Sequence, residues 1–404
     1  MISNSTAHAT PLAPTFVVPR YWPNMGGAEQ HSRALVQELA KSHRPSVIRF
    51  CSTEARQTDY AYAFNQSKTV LDGSVPVAQP GPQRTLRPIL KGLAERAPDC
   101  RISRAAYRHL TQSTLARQLK QFSGASDLVH AIYNGFTPAS VAASKLDRPF
   151  VWTPLAHTTK PQGTAWSSSG FRRLYARADA LIAMTEYERD WLIDQGAEAA
   201  RVHVSPMAPL LSDHPGDASA FRKTHRLDSG PIILFLGRLV EYKGYRALLE
   251  AAQAIWNTHP NAQLVFAGPA DQTAKATLQG ATDPRIRYVG TISDDEKNDA
   301  LAACEMVCVP STEESLGVVY FEGWMFQKPV IAADIPVMKS VIADGVDGIL
   351  TSQLPDQIAI AVNRLLSDPD MARELGCAGK AKVQVQYTWE QAAKTHEAVY
   401  RSLL

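Results

Sequence analysis

Short apolar runs of strand length alternate with helical stretches along this chain, in two successive series, and no other feature constrains its fold as much. Thr15-Phe-Val-Val-Pro19 reads as a buried strand. It is followed by a loop, Pro23-Asn-Met-Gly26-Gly27-Ala28-Glu29, and by a helix whose apolar face is Ala34, Leu35, Leu39 and Ala40. Ser46–Phe50, Asp127–Ala131, Pro149–Thr153, Ala180–Ala183 and Val202–Val204 continue the series. A second series starts at Pro231, with strands expected at Ile232–Leu236, Gln263–Ala267, Ile286–Val289, Met306–Val309, Pro329–Ala332 and Gly348–Thr351. Strands alternating with helices argue for parallel sheets wrapped by helices, and 404 residues leave room for two such domains of ~150–200 residues. The expected organisation is a flexible tail (1–14), a first doubly wound domain (15–205), a linker (206–230), a second doubly wound domain (231–385) and a terminal helix (386–404) that docks back. Sheets of this kind bind ligands beyond the carboxyl ends of their strands.

Composition excludes other classes. The strongest apolar runs are strand-sized, whereas a membrane-spanning helix needs ~20 apolar residues. The first fourteen residues carry no Lys or Arg and no apolar core, so no secretory signal is expected. Cys51, Cys100, Cys304, Cys308 and Cys377 form no C-x-x-C pair, which fits a reduced, cytoplasmic setting. The net charge of +3 hides one basic segment: nine Lys or Arg against Glu95 and Asp99 between Arg84 and Lys120. That segment suits either a solvated helical face or a contact with anionic membrane or a phosphorylated acceptor. With Tyr107 as its lone aromatic, it does not suit nucleic acid.

Two loops carry the chemistry. Gly237-Arg-Leu-Val-Glu-Tyr-Lys-Gly244 follows a strand and opens a helix. Gly237 permits the tight turn, and Arg238 and Lys243 can converge on one anion as a planar fork and a point charge. Glu314-Ser-Leu-Gly-Val-Val-Tyr-Phe-Glu322 also follows a strand, with a helix expected from about Gly317. The amides of Leu316, Gly317 and Val318 would face an anion there, while Glu314 and Glu322 are placed to accept hydrogen bonds from hydroxyls. Asp368-Pro-Asp370 has the form of a metal-binding D-x-D, but its setting is that of a helix start with a cap and a first-turn proline.

With these residues in view, the chain resembles the family-4-type retaining glycosyltransferases, which take sugars from nucleotide diphosphates on a GT-B fold. The likeness extends to Gly26-Gly27-Ala28-Glu29, Asp127-Leu-Val-His130 and the Trp389 helix. It implies that Arg238 and Lys243 neutralise the donor diphosphate, Glu322 binds ribose and Glu314 holds sugar hydroxyls. It also implies that Gly26 and Gly27 let the first loop approach the donor and that the departing phosphate takes the acceptor proton, with no metal or other cofactor. His130 and His157 are the candidate catalytic histidines. Two departures bear on the acceptor side: Ile132 stands where relatives carry a second histidine, and Val204-Ser-Pro-Met-Ala208 replaces an Asn-Gly turn. A dinucleotide oxidoreductase is the weaker reading, since neither glycine loop has G-x-G-x-x-G spacing. A non-catalytic nucleotide-sugar binder is the other.

Overall fold

A computed structural model describes residues 10–22, 27–50, 67–81, 101–132, 137–160, 162–163 and 165–404. Among the described residues, fourteen strands form two sheets. The first contains β1 (Pro14–Val18), β2 (Ser46–Arg49), β3 (Lys68–Asp72), β4 (Val75–Gln79), β5 (Leu128–Ile132), β6 (Phe150–Thr153), β7 (Ala180–Ala183) and β8 (Val202–Val204). Its order is β3-β4-β2-β1-β5-β6-β7-β8, parallel except for the β3–β4 hairpin. The second contains β9 (Ile232–Leu236), β10 (Gln263–Ala267), β11 (Ile286–Gly290), β12 (Met306–Val309), β13 (Val330–Ala333) and β14 (Ile349–Thr351), ordered β11-β10-β9-β12-β13-β14 and wholly parallel.

Every residue of β1, β5, β9, β10 and β12 is buried. That is why these segments are apolar on both faces instead of alternating. In each sheet the strand order reverses at the first strand of its series, beside β5 in one sheet and beside β12 in the other. A crevice opens where neighbouring crossovers leave in opposite directions. The residues after β9 and β12 therefore meet at one crevice; residues 133–136, which follow β5, lie outside the described residues.

Local signals hold at the helix ends. Asp368 caps the helix Pro369–Gln386 by accepting from the Met371 amide at 3.0 Å, with Pro369 in its first turn. Ser293 caps Asp294–Ala303 by accepting from the Glu296 amide.

Two boundaries differ from expectation. The expected linker contains a helix, Ala218–His225, capped by Asp217 and anchored by the buried Phe221. It lies against Asp294–Ala303, where His225 Nε2 is 2.8 Å from Glu296 and Asn298 donates to the carbonyls of Ser212 and His214. The expected tail is ordered from Thr10 on: Leu12 is buried and its carbonyl accepts from the Arg44 amide. The terminal helix Trp389–Ser402 docks on Gly27–Leu39 and on the first sheet. On its way there Trp389 Nε1 donates to the Pro209 carbonyl.

Candidate active site

The donor-side loops are built from the carboxyl ends of β9 and β12. Gly237 leaves β9 with φ +137°, a conformation that favours glycine, and a Cβ there would point into open space. A Cβ on Gly268, after β10, would overlap the Gly237 carbonyl oxygen at 2.0 Å, so this second glycine permits the close approach of the two strand ends. Buried Leu239 anchors the loop, its amide donating to the Pro269 carbonyl. A single turn, Glu241–Lys243, then runs to Gly244 at φ +83°. There a Cβ would stand 2.7 Å from the Pro310 carbonyl oxygen of the β12 loop.

The two loops are stapled together. The Thr312 amide donates to the Tyr242 carbonyl at 2.8 Å, and Gln353 Nε2 donates to the carbonyls of Tyr242 (3.1 Å) and Pro310 (2.6 Å). This brings Lys243 Nζ to 2.5 Å from Glu314 Oε1, both side chains largely buried. Arg238 is exposed and donates from Nη2 to the Tyr242 hydroxyl at 2.7 Å.

Gly317, at φ +79°, opens the helix Val318–Met325. The first amides of a helix have no intrahelical partner, and the positive end of the helix dipole lies at its start, here beside Gly317 and Val318. Glu322 lies in the second turn and is nearly enclosed. It accepts from Lys297 Nζ at 2.9 Å, and Lys297 also donates to the Leu210 carbonyl. Burial raises the Glu322 carboxyl above the ordinary range, against the pull of Lys297 and the Leu210 amide. No local pattern marks Lys297, because its contacts depend on three separate segments meeting.

The first domain supplies the facing wall. His157 follows β6 on a loop that turns through Leu155 at φ +52°. Its ring lies parallel to Trp166 (centroids 5.2 Å apart, planes 8° apart) and edge-on to Tyr242 across the crevice. Its Nδ1 is 3.7 Å from Glu313, and Lys160 Nζ reaches the same carboxylate at 2.5 Å. Burial lowers the His157 pKa, with Glu314 and Glu313 opposing and Lys243 and Lys160 reinforcing, so the neutral ring is favoured. Lys160, Glu313, Trp166 and Tyr242 complete this junction, and no motif announced them.

His130 requires a correction. It sits inside β5 rather than at its end and is fully buried. Its Nδ1 is 2.7 Å from the Tyr400 hydroxyl and its Nε2 is 2.8 Å from Thr153 Oγ1. Both ring nitrogens therefore have partners among the described residues, and the terminal helix packs against the ring through Tyr400 and His396. Gly27 starts the helix Gly27–Leu39, with open space at its Cβ position, while Gly26 lies outside the described residues.

Residues 25–208 match Glycosyltransferase Family 4, and residues 217–382 match Glycosyl transferases group 1. The chain belongs to the family-4-like glycosyltransferases. Its architecture is GT-B. Among its relatives, the alpha-D-kanosaminyltransferase of Streptomyces kanamyceticus is 28% identical over 57% of this chain and 62% of its own length. The phosphatidyl-myo-inositol mannosyltransferase of Mycobacterium tuberculosis is 26% identical over 94% of this chain and 93% of its own. The structure of Anabaena HepE, determined with UDP and glucose, superposes with a TM-score of 0.73 at 19% identity, covering 97% of this glycosyltransferase and all of HepE.

Proposed function

We propose that this glycosyltransferase moves a hexosyl group from a nucleotide-diphosphate sugar to an acceptor hydroxyl, with retention and without a metal ion. The observation that carries the reading is the meeting of Lys243 and Glu314 beside Arg238 at the switch point of the second sheet. One cation is held by one carboxylate at the place where helix amides converge. Lys243 has two further N–H donors and Arg238 an open fork for a diphosphate that gains charge as its bond to carbon breaks. Those cations do the work a metal would otherwise do. Glu314 serves the sugar and Glu322 the ribose, while His157 and Lys160 face them from the acceptor side. The departing phosphate takes the acceptor proton, so the protein contributes charge, orientation and exclusion of water.

The acceptor is proposed to be lipid-linked or phosphorylated, met at the cytoplasmic membrane face by the basic segment 84–120. Residues 84–100 of that segment lie outside the described residues, and its remainder belongs to the helix Arg101–Phe122, where Arg117 and Lys120 are exposed. No helix among the described residues is long and apolar enough to cross a membrane.

The test is a thermal-shift panel of UDP-, GDP- and ADP-sugars followed by assay of nucleotide release, with and without EDTA, and with anionic or neutral vesicles as acceptor. One donor should raise Tm, support release in EDTA and be turned over faster on anionic vesicles. Release abolished by EDTA would overturn the metal-free reading, and no shift or release with any donor would overturn the whole.

A further inference from the structure

Among the described residues, the most deeply buried carboxylate of the first domain lies behind His157. Glu188 is fully buried on the helix Glu186–Asp194, whose start, Thr185-Glu-Tyr-Glu188, has the form of a capping box. Half of that box forms: Thr185 Oγ1 accepts from the Glu188 amide at 3.0 Å. The other half is diverted. Instead of turning back to the Thr185 amide, the carboxylate accepts from the Met184 amide through Oε2 at 2.7 Å and from the Ala156 amide through Oε1 at 2.6 Å. Thus one side chain ties the end of β7 to the loop after β6.

No Lys, Arg or His among the described residues pairs with it. The titratable side chain beside it is Tyr175, whose own pKa it helps raise. A buried charge held by two amides alone is a costly way to add stability. What it holds explains its place. Ala156 is flanked by Leu155, in the left-handed region, and by His157. The same region braces the imidazole from its other side: the Tyr175 hydroxyl donates to the Trp166 carbonyl at 2.9 Å, and Trp166 lies flat against His157.

We propose that Glu188 is the positioning residue of the acceptor side: by clamping the Ala156 amide it holds the turn that presents His157 to Glu313 and the donor loops. This rests on the reading of His157 as a crevice residue above. The clamp needs the ionised form, because a protonated carboxyl turns one oxygen into a donor and leaves one amide without an acceptor. Burial pushes the Glu188 carboxyl up to about 7, with the two amides pulling the other way. The clamp therefore holds above neutrality and slackens below it.

The test uses the full chain labelled with ¹⁵N-Ala and ¹⁵N-Met. The Ala156 and Met184 amide resonances should titrate together, with one midpoint near neutrality, in the wild type and in His157→Ala, and this titration should vanish in Glu188→Gln. With the donor found above, Glu188→Gln should lower kcat about 10- to 100-fold, leave the donor KM within about twofold, and lose the acid limb of the wild-type pH profile. Independent titration of the two amides would overturn the clamp, as would a Glu188→Gln enzyme of normal Tm with unchanged kcat and acid limb. If Glu188→Gln does not fold, the wild-type and His157→Ala titrations still decide it. Absence of transfer by the wild type from every donor would defeat the functional reading instead, and the amide titration would judge the clamp by itself.

Discussion

Lys243 owes its place to the chain and its partner to the fold. It lies five positions after Arg238 in a strand-end loop, and the fold brings it against Glu314, 71 positions later in the chain. The ion pair holds its ammonium at the crevice before any substrate arrives, which is how a positioned charge avoids reorganising during the reaction. Lys243→Ala and Arg238→Ala are each expected to lower kcat/KM by about 2–4 kcal/mol of transition-state stabilisation, in the manner of removing an oxyanion donor. Steady-state kinetics with unchanged kcat/KM in both variants would remove them from the site. His130 shows the opposite outcome. Its neighbours in the chain, Val129 and Ala131, told only of a buried strand, and the partners that occupy its ring, Thr153 and Tyr400, are 23 and 270 positions away.

Among the elements, three segments meet at Lys297: its own helix, Asp294–Ala303; the helix Val318–Met325, through Glu322; and the chain between the domains, through Leu210. Both charges of the Lys297–Glu322 pair are almost wholly enclosed, so removing one strands the other. Lys297→Met is expected to destabilise the protein by about 3–5 kcal/mol near neutral pH, read by urea denaturation. It should also raise the donor KM, because Glu322 loses the partner that orients it. A variant as stable as the wild type would show that the pair contributes nothing. Two elements escaped the sequence reading for different reasons. The β3–β4 hairpin turns at Gly73, φ +60°, and the Asp-Gly pair at 72–73 was a usable signal. The helix Ala218–His225 is too short to show a period, and its one strong anchor, Phe221, counts only once the helix Asp294–Ala303 is beside it.

At the scale of the whole molecule, the terminal helix closes over a buried histidine cluster. His31, His130 and His396 are all fully enclosed, with the rings of His130 and His396 5.5 Å apart. Burial lowers His31 to about 3 and His396 to about 4, and holds His130 well below the ordinary value. The unfolded chain, with ordinary values near 6.5, therefore binds more protons than the folded one below that pH. Stability should be full above about pH 6.5 and fall toward pH 4, by about 1.4 kcal/mol per pH unit for each histidine. His31→Phe should flatten that slope by about the same amount in urea titrations at pH 6.5, 5.5 and 4.5; an unaltered slope would show that His31 is not held neutral by the fold. The sequence by itself determined the alternation of strands and helices, the cap at Asp368 and the glycine turn at 237. Each of these is settled by hydrophobic period, capping or backbone freedom within a few residues. Tertiary structure alone decided which histidine faces the crevice, which lysine accompanies Glu322 and what lies behind His157. A buried polar group takes whatever partner long-range packing brings to it, and that partner leaves no mark on the neighbouring sequence.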